Sequence, residues 1–83
     1  MKFHALVEVS LRQGIADPEG TTIERNLPAL SISGISAVRA GRAFRFDVEA
    51  ADEAAALAIV SDVANRLLSN PVIEDHRVQL EAR

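Results

Sequence analysis

The chain has 83 residues, 48% of them apolar, with nine basic and twelve acidic side chains for a formal net charge of −3. That length supports one domain over residues 1–83, and the apolar share is too high for a disordered segment. The acidic balance argues against a nucleic-acid surface and against an anionic-membrane anchor, and the lack of cysteine excludes disulfides and thiolate metal sites.

Residues 1–16 lack the charged-then-apolar layout of a secretory leader, and no apolar run reaches the ~20 residues that span a bilayer. A cytoplasmic location is expected. The first segment, Lys2 to Leu11, places Phe3, Ala5, Val7, Val9 and Leu11 on one face and His4, Leu6, Glu8 and Ser10 on the other, the period of a half-buried strand. A turn at Gln13-Gly14 follows. Asp17-Pro18 then predicts a helix start, because the carboxylate can cap free N–H groups and proline lacks one. Ile23, Leu27 and Leu30 form its apolar stripe, and Pro28 predicts that the helix kinks or ends between Asn26 and Leu30.

Beyond Ser33-Gly34, the run Ile35 to Ala40 reads as a short strand, joined through Gly41-Arg42 to a second strand with Phe44, Phe46 and Val48 alternating. From Asp52 the period becomes helical, with Leu57, Val60, Ala64 and Leu67 on one face and Asn70-Pro71 as the stop. Ile73 to Glu81 alternates again as a last strand, His76, Val78 and Leu80 against Arg77, Gln79 and Glu81.

The order strand, helix, strand, strand, helix, strand predicts an α+β ferredoxin-like βαββαβ sandwich. Its sheet would be four-stranded and antiparallel, order 4-1-3-2, with both helices on one face. The other face is expected to be bare and to carry His4, Leu6, Glu8, Arg45, Asp47 and Glu49.

Nothing in this layout predicts catalysis. His4 and His76 belong to antiparallel strands and fall several residues apart along the sheet, too far to share a ligand. The pairs Asp52/Glu53 and Glu74/Asp75 suit a helix start and a turn. Arg39 and Arg42 flank a turn and read as solvated, with a phosphate or a partner's carboxylate as the alternative. An RNA module would need aromatics on the open face, and an acylphosphatase-like enzyme an anion-cradling loop that Leu11-Arg12-Gln13-Gly14 does not match.

The residues also resemble a known family. Val9-Ser10-Leu11-Arg12, Asp17-Pro18-Glu19-Gly20, Val38-Arg39-Ala40-Gly41-Arg42 with Phe44 and Phe46-Asp47-Val48-Glu49, and Leu67 to Asp75 together resemble the small PurS subunit of phosphoribosylformylglycinamidine synthase, nearly end to end. The departures are Pro28 in the first helix, the connection Leu30 to Ile35, and His76 where an aromatic is frequent.

The resemblance implies the same βαββαβ fold and a non-catalytic role in purine biosynthesis. It implies a homo-oligomer, dimer or tetramer, that bridges an ATP-dependent synthase subunit and a glutaminase subunit and supports ammonia transfer between them. ATP and Mg would be used by the complex, with no cofactor or metal on this chain. Arg12, Asp17, Gly20, Arg39, Gly41, Arg42, Asn70 and Pro71 are the positions expected to make turns or partner contacts. The alternative function is a free-standing ACT-like regulatory domain that binds a small molecule.

Overall fold

Strict alternation makes Lys2–Leu11 the first strand, β1, and it is also the spine of the molecule. The computed structural model describes residues 1–82. The second strand, β2 (Gly41–Glu49), pairs antiparallel along one side of β1, and the third, β3 (Glu74–Ala82), along the other. The backbone ladders continue past the strand ends, through Ala50 N–H to the Met1 carbonyl (2.9 Å) and Arg12 N–H to the Ile73 carbonyl (2.9 Å).

The sheet therefore has three strands, ordered β2-β1-β3. This corrects the expected four-stranded 4-1-3-2 sandwich. Residues 35–40, expected as a strand, pair with nothing in the sheet. The backbone explains why: Ala37 adopts φ +57°, a left-handed conformation that ends any extended run. Gly41 is not a hairpin turn either. It opens β2 opposite Ser10, and a Cβ there would lie 2.6 Å from the Val9 carbonyl oxygen.

The helix α1 (Pro18–Asn26) begins where the sequence indicates, with Asp17 capping and proline in the first turn. It ends before Pro28, and a 3-10 turn over Pro28–Leu30 follows, capped by Ser31 at φ 60°. Both helices were expected against the sheet, yet α1 buries only Gly20 and packs chiefly on that 3-10 turn. It forms an arm beyond the end of β1. The chain is accordingly long and thin, 51 × 28 × 15 Å, with a radius of gyration of 16.2 Å. A compact chain of this length would have about 12 Å.

The helix α2 (Glu53–Val63) alone covers the sheet. Asp52 caps it by accepting from Ala55 N–H at 2.8 Å. Its buried stripe is Ala56, Val60 and Ala64, packed on Phe3, Ala5, Val7, Val9 and Val48. Small residues at 56 and 64 let the helix approach the sheet closely. Leu57 and Leu67, expected on this face, are instead exposed, Leu67 by 79%. A π turn over Ala64–Leu68, closed by Ser69 N–H to the Ala64 carbonyl at 3.0 Å, interrupts the helical register before Leu67. Asn70 is not a left-handed cap; its Oδ1 accepts from Val72 N–H at 3.1 Å in a turn of its own.

Substitution at Val60 and at Leu67 separates the two registers. Val60→Ala should cost about 2–3 kcal/mol, the lost burial of two methyl groups plus a cavity. Leu67→Ala should cost the monomeric chain less than about 0.5 kcal/mol. Urea denaturation at low protein concentration measures both. Equal losses would place Leu67 in the core.

Candidate functional site

All eight residues singled out in the sequence gather at one end of the sheet, where β1 finishes and β2 and β3 begin. Asp17 is central there. Its side chain is only 7% exposed, and Oδ1 accepts from Gly20 N–H at 3.0 Å while Oδ2 accepts from Ala40 N–H at 2.8 Å. One carboxylate thus caps α1 and holds the segment that leads into β2. These two backbone donors, with the Arg39 guanidinium 4.0 Å away, hold the carboxyl below the usual carboxylate range against the opposing effect of burial.

Gly20 is the counterpart of that bond. A Cβ there would collide with the Val38 carbonyl oxygen and come within 2.7 Å of Asp17 Oδ2. Glu24, one turn further, accepts from Val38 N–H at 3.0 Å and fastens α1 to the same segment. Sequence reasoning missed Glu24. The only sequence signal was its spacing, four residues beyond Gly20 on one helix face.

The arginines are exposed yet engaged with their own chain. Arg39 donates to the carbonyls of Leu11, Arg12 and Ile15 at 3.1–3.3 Å, closing the loop between β1 and α1. Arg42 forks onto Glu74 at 2.9 and 3.0 Å, reaches the Leu68 carbonyl at 3.4 Å, and lies 5.8 Å from the Phe44 ring centroid. Glu74 also accepts from Asn70 N–H at 2.7 Å. That backbone bond and Arg42 outweigh burial and lower the Glu74 carboxyl too. Arg12 donates to the Pro71 carbonyl at 2.6 Å and stands 3.5 Å from Asp75. Asn70 and Pro71 therefore shape the α2–β3 turn, which Arg12 and Glu74 tie to β1 and β2.

A shallow depression at this end is lined by Arg39, Arg42, His76 and Arg77 with Glu8 and Asp75. Its charge is mixed, and Arg39 and Arg42 are turned onto carbonyl and carboxylate oxygens of their own chain. The arrangement is a brace. The histidines are far apart, as the strand pairing implied: His4 stands opposite Glu81 and His76 opposite Val9, five residues along β1 and on opposite faces. His4 Nδ1 lies 3.1 Å from Asp47 Oδ1 on the bare face, where Leu6 falls between Arg45 and Gln79.

The family model for PurS, phosphoribosylformylglycinamidine (FGAM) synthase, matches residues 4–82. The chain belongs to this family. A Mycobacterium leprae phosphoribosylformylglycinamidine synthase subunit PurS is 38% identical over 79 residues, covering 95% of this chain and 96% of the relative. The crystal structure of the Thermotoga maritima purS subunit superposes with a TM-score of 0.89 at 32% identity, covering 98% of this chain and 93% of that one. A chain in the structure of PurLQS from the same organism matches with a TM-score of 0.89 at 32% identity, covering 98% and 99%.

Two outcomes test the brace. Both lowered carboxyls bind protons more weakly in the folded chain than in the unfolded one. Their contribution is thus complete above the ordinary carboxylate range, about pH 4–4.5, and is lost as pH falls through the lower folded values. Urea denaturation at several pH values should show a decline toward acid that Asp17→Asn flattens. Gly20→Ala should cost about 1–3 kcal/mol by overpacking, read in the same assay; no loss would free Gly20 of its contact with Val38.

Proposed function

We propose that this chain is the non-catalytic small subunit of a phosphoribosylformylglycinamidine synthase complex. In this reading it joins an ATP-dependent synthase subunit to a glutaminase subunit, so that ammonia released at one site is used at the other. ATP and Mg belong to the large subunit, and the assembly works in the cytoplasm. The observation that carries the proposal is the near-complete likeness to a chain of the Thermotoga PurLQS structure. The geometry supports it: the polar side chains at the head of the sheet are engaged with their own backbone and with each other. Such a brace gives a rigid surface for partners. The chain also associates with itself, as a dimer or tetramer.

Reconstitution tests this directly. Glutamine-dependent amidine formation by the synthase and glutaminase subunits should require this chain, while the synthase subunit given ammonia keeps its activity. Full glutamine-dependent turnover without the chain would end the proposal. A metabolite that raises the melting temperature of the chain alone would favour the ACT-like alternative.

A further inference from the structure

Among the described residues, two other than glycine adopt a left-handed backbone, Ser31 at φ 60° and Ala37 at φ 57°. Ser31 closes the 3-10 turn, a place where the chain commonly turns left-handed. Ala37 closes no helix. An L-residue in that conformation is disfavoured by about tenfold, so the surroundings of Ala37 must hold it there. After Ala37 the chain is fixed to the sheet end. Arg39 donates to the carbonyls of Leu11, Arg12 and Ile15, and Asp17 holds the Ala40 N–H at 2.8 Å. Before Ala37 the chain belongs to the arm, whose helix α1 packs chiefly on its own 3-10 turn. The bond from Val38 N–H to Glu24 Oε1, 3.0 Å long, crosses this boundary, and Gly20 lies close under the Val38 carbonyl.

We propose that Ala37 is the hinge of the arm and that the Glu24–Val38 bond is its latch. With the bond made, Ala37 stays left-handed and the arm keeps its present angle to the sheet. With the bond broken, Ala37 passes to the extended region, residues 35–40 become the extended run their composition favours, and the arm pivots at Asp17. Asp17 suits the pivot, because its carboxylate holds both sides of the arm's base, Gly20 and Ala40. A hydrogen bond to a carboxylate and the strain of one left-handed residue are of the same order. The open state is therefore a minor population that local opening reaches without unfolding the sheet.

Hydrogen exchange and spin-label distances in the full chain test the hinge. Glu24→Ala should speed exchange of the Val38 amide about tenfold or more, with the β1 amides unchanged. Ala37→Val, whose branched side chain resists φ above zero, should do the same with the Glu24 carboxylate still present, and Ala37→Gly should slow it several-fold. The chain has no cysteine, so Thr22→Cys on the arm and Gln79→Cys on β3 place one label pair. With labelled chain diluted into unlabelled, double electron–electron resonance should give one distance for the wild-type hinge and a second for Glu24→Ala and Ala37→Val. A single unchanged distance in both variants would overturn the proposal. So would Val38 exchange that is the same with alanine and glycine at position 37, a comparison that holds even if Ala37→Val does not fold.

Discussion

The Asp17 carboxylate joins the start of α1 to the segment that enters β2. Asp17 is almost wholly hidden, and its two oxygens accept the N–H groups of Gly20, three residues on, and of Ala40, 23 residues on. Charged acceptors make stronger hydrogen bonds than neutral ones, and a hidden carboxylate without partners would be costly. The arm begins at the helix this carboxylate caps and returns to β2 at the residue it binds. Gly20, Glu24 and Arg39 all serve the same junction, by clearance, by a second backbone bond and by closing the preceding loop.

A second junction on the other side of β1 has the same logic. Glu74 takes Arg42 from β2 and the Asn70 amide from the α2–β3 turn, while Arg12 from β1 holds the Pro71 carbonyl. Both junctions lie at one end of the sheet, so residues distant in sequence converge there. The family's subunit role fits such a design. A subunit of a larger assembly must keep its surfaces in a constant relation, and ionic and backbone bonds at the loop-rich end do this where the small core cannot. That core is thin, one helix of mostly small side chains over three strands.

Some of this was legible in the residues. The alternation of Phe3 to Leu11 set β1 and its faces, Asp17-Pro18 and Asp52 marked both helix starts, and Pro28 ended α1 as its missing N–H demands. Three readings failed for reasons beyond local pattern. Ile35 to Ala40 has strand composition, but Ala37 is left-handed, and the Val38 and Ala40 amides are bonded to Glu24 and Asp17 instead of to a neighbouring strand. Leu67 has the spacing of a core residue, but the π turn that contains it shifts the register. Arg39 and Arg42 have the look of solvated turn residues because their acceptors, backbone carbonyls and Glu74, come from elsewhere in the chain.

By itself the sequence determined which segments extend, which coil and where the helices begin, since periodicity and capping act over a few neighbouring residues. It also carried the family resemblance, which is distributed along nearly its whole length. Tertiary structure decided how many strands join the sheet, whether α1 lies on that sheet or stands away from it, and what the turn residues hold. Those outcomes depend on bonds between positions 14 to 59 residues apart, such as Glu24 with Val38 and Arg12 with Pro71. No local pattern encodes such partners.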